Sequence, residues 1–375
     1  MAGLYFHIPF CKRICAYCDF FRSADLRSMP QVVRAMHEEL EREAGFLPGR
    51  RLRSIYFGGG TPSLLPPESL QEFIDRAARL YDCSQLAECT VEANPDDLTP
   101  DYLARLARTR IDRLSIGIQS FDDAELRFMN RRHTADAARR AVRQAQEAGF
   151  GNISVDLIYG VPGFGTGTLS RSLQETIALG VQHVSAYHLT VEPGTAFGRR
   201  MERGAFSPVE EGVSEREFDI VHRTLADAGF EHYEVSNFAR PGRRAVHNGS
   251  YWSGAPYLGI GPAAHSFDGD RLRRWAVADL GKYLGADDRY ESERLTERDR
   301  YNETLMTGLR TADGVDTADL ARRFGGERLA RLLKEARTWI EAGDLRLERG
   351  RLRIPAERFL LSDAVIGALF WGCSG

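Results

Sequence analysis

Six short runs rich in β-branched and aromatic residues mark the first half of the chain, at 4–10, 54–60, 89–95, 113–120, 153–160 and 183–193. Each carries Gly, Pro, Asn or Gln near its end, and helical patterns such as PESLQEFIDRAARLY and TADAARRAVRQAQEAGF lie between them. Strand alternating with helix requires a parallel sheet, because a parallel return needs a crossover. Six units are two short of a complete eight-fold barrel. The expectation is an α/β fold, a partial (β/α)6 TIM-like barrel over 1–195, with its working groups on loops at the C-terminal ends of the strands.

The rhythm changes near residue 194. Residues 196–290 hold a helical stretch and then the Gly-, Pro- and aromatic-rich RRAVHNGSYWSGAPYLGIGPAAHSF, read as an extension that closes the barrel on one side. Residues 291–375 read as a compact accessory domain, with helices followed by the strand pair DLRLERGRLRIP, a winged-helix-like order. Such a tail raises DNA binding. Its acidic and basic residues nearly balance, however, and the whole chain carries a net charge of −3, so no nucleic-acid partner is expected.

The opening MAGLYFHIPF lacks a basic segment followed by a long apolar one, and no apolar run approaches the length of a membrane span. A cytoplasmic protein without a transmembrane segment is expected. In a reducing compartment clustered thiols are metal ligands rather than disulfides. Cys83, Cys89 and Cys373 are scattered, whereas Cys11, Cys15 and Cys18 fall in CKRICAYCDF, on a loop leaving the first strand. No matching second half exists to complete a zinc ribbon. Thiolates at Cys-x3-Cys-x2-Cys spacing point to a four-iron, four-sulfur (4Fe–4S) cluster with one iron left open.

With its flanks, HIPFCKRICAYCDF resembles the cluster loop of the radical S-adenosylmethionine (SAM) superfamily, in the branch of oxygen-independent coproporphyrinogen III oxidase and its heme-chaperone relatives. The resemblance covers nearly the whole chain. It implies that Cys11, Cys15 and Cys18 hold the cluster and that SAM binds the open iron through its amino and carboxylate groups. Reductive cleavage of SAM would then give methionine and a 5′-deoxyadenosyl radical. The same resemblance assigns SAM contacts to Tyr5, His7, Tyr17, Gly59, Gly60, Thr61, Glu92, Gln119, Arg131 and Asp156. GFGTG at 163–167 lacks the ending of a phosphate loop and reads as a turn.

Two features divide the branch. The oxidase has a further cysteine two residues after the third, where this chain has Phe20, and the chain also starts without the oxidase's longer N-terminal extension. HNGSYW at 247–252 fits the HNxxYW motif of the heme-chaperone relatives, implicated there in heme binding. His247 is then the axial-ligand candidate, Asn248 its orienting partner, and Tyr251 and Trp252 flat surfaces for a macrocycle. His7, His188 and His265 are weaker ligand candidates. Three functions stay open. The first is a heme chaperone that uses an electron donor for the cluster and hands heme to an acceptor hemoprotein of the respiratory kind. The second is a coproporphyrinogen oxidase, and the third a regulatory protein working through the tail.

Overall fold

The computed structural model describes residues 1–285 and 289–372, so Cys373 lies outside the described residues. All six expected strands form: β1 (Ala2–Ile8), β2 (Leu52–Gly59), β3 (Glu88–Ala93), β4 (Arg113–Gln119), β5 (Ile153–Tyr159) and β6 (His183–His188). They lie side by side in chain order, each parallel to the next.

Their two faces differ sharply. Leu4, Phe6, Ile8, Ile55, Phe57, Val91, Leu114, Ile116, Val155 and Leu157 point outward and are fully buried under the crossover helices. The alternate positions face the lumen, since successive strand residues point to opposite sides. They are largely polar: Ser54, Tyr56, Glu88, Thr90, Glu92, Arg113, Ser115, Ser154, Asp156, His183 and Ser185. A barrel whose interior served only stability would fill these places with Val, Ile and Leu. The crossover helices show the complementary pattern. Ala135–Glu147 starts from a Thr134 side-chain cap and buries Ala138, Ala141, Val142 and Ala145 along one stripe.

The region 196–290 contributes strands as well as helices. It extends the sheet at both edges, because its strands divide between them. β7 (Glu231–Glu234) and β8 (Asn237–Ala239) add antiparallel to β6, whereas β9 (Tyr257–Ile260) runs parallel to β1. β10 (His265–Phe267), β11 (Leu272–Ala276) and β12 (Tyr290–Arg294) continue outward as an antiparallel meander. Among the described residues the result is one open twelve-stranded sheet.

Between β8 and β9 the chain must cross from one edge to the other, and it does so through the helix Val246–Trp252. That helix packs at the N-terminal end of the barrel. The Glu88 carboxylate, first in β3, accepts from the backbone N–H of Val246 (2.7 Å) and of His247 (3.0 Å). Arg113, 1% exposed, lies 3.9 Å from the same carboxylate. A buried carboxylate is tolerable here because two donors and a guanidinium satisfy it.

The tail begins after β12, which reaches Arg294, with the helix Glu297–Leu309. Next comes β13 (Val315–Asp316), then three further helices to Ala342, then β14 (Arg346–Glu348) and β15 (Arg351–Arg353), and the three strands pair in a small sheet in the order β13, β15, β14. Its buried residues Leu305, Leu309, Leu320, Leu352 and Phe359 are continuous with the main core. No helix of the described residues is long and apolar enough to cross a membrane.

Candidate functional site

The loop after β1 is an excursion tied at its neck. Cys11 N–H donates to Ser23 C=O at 2.9 Å, and Ser23 N–H donates back to Pro9 C=O at 2.6 Å. Neighbours hold the rest: Ala16 N–H donates to Met129 C=O, Phe197 N–H to Ala16 C=O, and the Asn130 amide to Ile14 C=O. The three thiols are thus presented by a fixed backbone.

Cys11, Cys15 and Cys18 line one cavity of about 360 Å³ at the C-terminal ends of the strands. Thr61 Oγ1 donates to Cys11 Sγ at 3.4 Å, and Arg131 Nη1 donates to Cys15 Sγ at 3.2 Å. Burial pushes the Cys18 thiol up to about 11 and raises that of Cys11, while Arg22 opposes both rises. Thiolates here need positive charge nearby, which iron and two arginines would supply. Among the described residues no three ligands converge on a single metal ion. A cluster makes no such demand, because each thiolate binds its own iron. The donor set therefore fits a 4Fe–4S cluster better than zinc.

Tyr17, Gly59, Gly60, Thr61, Glu92, Gln119, Arg131 and Asp156 line the same cavity, so eight of the ten expected SAM residues are brought together. Glu92 accepts from Tyr56 O–H at 2.7 Å and from Gly59 N–H at 3.1 Å. Burial, with a contribution from nearby Asp156, raises its carboxyl to about 7. Asp156, also raised by burial, accepts from Ser115 Oγ at 3.2 Å. Gln119 ends β4 with φ 71°, a left-handed turn at the cavity wall. Arg131 reaches Asn94 Oδ1 at 2.7 Å and the Gly117 carbonyl besides Cys15.

Tyr5 and His7 lie behind the cavity rather than in it. His7 Nε2 donates to Phe21 C=O at 3.0 Å, which leaves Nδ1 to accept from Tyr5 O–H at 3.0 Å. Burial holds this imidazole neutral, down to about 4. Its place is to anchor the return of the cluster loop. The glycines of GGGTP serve the same packing. A Cβ on Gly59 would stand 2.6 Å from the His7 ring, and one on Gly60 would stand 2.7 Å from Ile8 O.

The HNxxYW residues lie apart from this cavity. His247 is fully buried at the barrel base, its Nδ1 paired with Ser54 Oγ (2.9 Å) and its Nε2 with Tyr251 Oη (2.9 Å). Its ring stacks on Tyr56 with centroids 4.9 Å apart, and burial lowers its pKa to about 3. With both nitrogens engaged and no exposure, it offers no coordination position to heme iron in this conformation. Ser54 and Tyr251, not Asn248, orient it. Tyr251 meets Tyr257 edge-on at 4.7 Å and Trp252 is half-buried, so neither presents an open flat face. His188 lines the thiol cavity with Nε2 paired to Ser214 Oγ at 2.9 Å. His265 is exposed and stacks on Trp275.

Sequence reasoning missed Tyr56, Asn94 and Ser115, the partners that set Glu92, Arg131 and Asp156. Two of them had a signal: Tyr56 shares the lumen face two residues before Gly58, and Asn94 follows two after Glu92.

Residues 5–200 match the radical SAM superfamily, and residues 295–361 match the HemN C-terminal domain. The chain is 34% identical to the heme chaperone HemW of Lactococcus lactis, over 96% of this chain and 97% of that one. It is 35% identical to the heme chaperone HemW of Mycobacterium tuberculosis, over 98% and 94%. Among solved structures, coproporphyrinogen III oxidase (HemN) from Escherichia coli superposes with a TM-score of 0.82 over 98% of this chain and 90% of that one. At 21% identity that likeness shows the fold alone. The chain belongs to the radical SAM superfamily and, within it, to the HemW family of heme chaperones.

Proposed function

We propose that this protein binds heme and passes it to an acceptor hemoprotein, as a cytoplasmic carrier whose cavity holds a 4Fe–4S cluster and SAM. The observation that carries this reading is the nearly end-to-end similarity to heme chaperones. Phe20 supports it, standing exposed at the cavity mouth where the oxidase branch has its further cysteine.

A reduced cluster, when bound, supplies an electron to the SAM sulfonium. The residues around it bind and orient. Cys11, Cys15 and Cys18 would take three irons, with Thr61 and Arg131 donating to two of the sulfurs. Glu92, fixed by Tyr56 and Gly59, offers its carboxylate to a vicinal diol, and Asp156 and Gln119 offer polar contacts on the facing wall. Tyr17 supplies an aromatic face for a base.

The tail's wing gives DNA binding no support. Arg346 pairs with Glu357, Arg351 with Asp316 and Arg353 with Glu348, so three of its guanidinium groups face acids.

Anaerobic hemin titration of cluster-reconstituted protein, followed by transfer to an apo-hemoprotein, tests the reading. Saturable binding with transfer is expected. Failure to bind, together with SAM-dependent decarboxylation of coproporphyrinogen, would replace the chaperone with the oxidase.

A further inference from the structure

The thiol loop is held by two neighbouring helices, and all three segments carry arginines that no acid answers. Ala16 N–H donates to Met129 C=O, just past the helix Asp123–Phe128, and Phe197 N–H, in the helix Ala196–Glu202, donates to Ala16 C=O. Arg13 on the loop, Arg127 on the first helix, and Arg199, Arg200 and Arg203 on and just after the second are exposed, and among the described residues none makes an ion pair. Arg13 spends one N–H on the Arg131 carbonyl at 3.4 Å, and the Arg200 guanidinium lies 5.2 Å from the Phe128 ring centre, so the segments meet on one face. Exposed Arg244, Arg322 and Arg331 are by contrast paired, with Glu231 and Asp313, with Asp319 and with Glu335. Even beside the loop, Lys12 is spent on Asp97 and Arg132 on Asp96, each at 2.8 Å. Of the acids on the three segments, Asp123 caps Ala135 and Glu125 is buried on Ser120, which leaves Asp19 and Glu202 against the arginines. The same segments expose large apolar side chains: Ile14 at 39%, Phe20 at 67% and Met201 at 38%.

Unanswered positive charge among exposed apolar side chains is the make-up of a protein-docking surface whose partner is acidic. The cavity it borders says which acidic partner. Arg13, Ile14 and Phe20 line the same mouth as Cys11, Cys15 and Cys18, and a cluster held there must receive its electron from outside. We propose that this face docks an acidic, low-potential one-electron carrier protein, with Phe20, Ile14 and Met201 in the contact and the arginines steering it. One electron leaves the carrier's reduced flavin or iron–sulfur centre and one reduces the oxidised cluster; no bond forms or breaks. This rests on the cluster of the reading above and names the partner that serves it. A second copy of this chain is a poorer occupant, because face to face it would set arginines against arginines.

The test uses an acidic flavodoxin as the carrier. Wild type, Phe20→Ser, the double variant Arg199→Glu/Arg203→Glu and a control, Arg108→Glu, are reconstituted anaerobically, with iron per chain measured in each. Arg108 is exposed at the opposite end of the barrel, shortly before β4. Binding of oxidised flavodoxin is read by calorimetry. Bleaching of the cluster absorbance is followed after mixing with flavodoxin hydroquinone, and separately with dithionite, which needs no docking. At unchanged iron content the double variant should bind flavodoxin and be reduced by it roughly tenfold less well, the scale of lost electrostatic steering, and raised salt should narrow the gap to wild type. Phe20→Ser should weaken binding roughly tenfold at any salt, as loss of one buried aromatic contact does. Dithionite should reduce every variant alike, and Arg108→Glu should match wild type throughout.

Equal binding and equal reduction by flavodoxin in wild type and the double variant would overturn the surface. Weaker binding with unchanged reduction would overturn the carrier and give the face to another acidic protein. Wild type that takes up no iron would defeat the cluster reading and this proposal with it. Iron taken up and reduced by dithionite, but not by flavodoxin, would defeat this proposal alone.

Discussion

His247 stacks on Tyr56 at the floor of the lumen, ring centroids 4.9 Å apart and planes 24° apart, and Tyr56 in turn donates to the Glu92 carboxylate at 2.7 Å. The helix that plugs the barrel base is therefore one aromatic ring away from the acid that faces the cavity. Tyr5 stacks on both rings and reaches His7, which holds the cluster loop at Phe21. Disturbing the base should be felt at the mouth.

His247→Ala removes a filled volume and leaves the hydroxyls of Ser54 and Tyr251 without their partner. A cavity plus two orphaned buried groups costs about 3–5 kcal/mol. Thermal melting of the unreconstituted protein should fall by several degrees. A lowered heme affinity in this variant then reports lost structure, and only a loss at unchanged melting temperature would restore a ligand role to His247.

Tyr56→Phe is subtler. It deletes one hydroxyl and leaves the stack, so the fold should hold while Glu92 loses a donor. A hydrogen bond to a charged group contributes about 1.5–3 kcal/mol, and SAM binding by calorimetry should weaken roughly tenfold or more. Equal affinity in the two proteins would separate Glu92 from SAM recognition.

Glu92 also sets a pH dependence. Its carboxyl sits near 7 because burial and Asp156 disfavour the charge. A diol donating to it favours the ionised form, so binding releases a proton and the bound-state pKa is lower. SAM affinity should accordingly rise with pH up to about 7 and level off above it. Glu92→Gln should be weaker and flat across that window. A wild-type profile as flat as that of the variant would contradict the assignment.

Cys15 accepts from Arg131 and is half-buried. Cys15→Ser should lower iron per chain after anaerobic reconstitution and abolish cluster absorbance, while Cys83→Ser should change neither. Arg131→Met should keep iron but shift the cluster potential more negative, since a cation beside the sulfurs favours the reduced state.

The barrel and the cavity were legible because their signals are local. Buried parallel strands read as apolar runs that break at Gly, Asn or Gln, and the three cysteines fall within eight residues. The base was not legible. HNGSYW states which groups it carries but not what covers them, and the partners of His247 are Ser54, 193 residues away, and Glu88, 159 residues away. The edge strands β7 to β12 were missed for a related reason. They are three to five residues long, and β12 is mostly exposed, so neither length nor alternation marks them.

The glycines give the sharpest check on the neck of the loop. Gly59 has φ 103°, and its added Cβ would meet the His7 ring at 2.6 Å; Gly60 would meet the backbone of Ile8 and Phe10 at 2.7 and 2.8 Å. Gly149 has a similar φ of 98° with nothing within 4 Å. Gly149→Ala thus measures left-handed strain alone, about 1–2 kcal/mol. Gly59→Ala adds displacement of the ring that holds Phe21, and Gly60→Ala adds a clash with backbone that cannot rotate away. Both should melt earlier than Gly149→Ala. Both should also lose cluster absorbance faster in air, which strain in a distant helix-to-strand turn would not cause. If all three variants retain the cluster equally well, the glycines of GGGTP are there for the ligand and not for the loop.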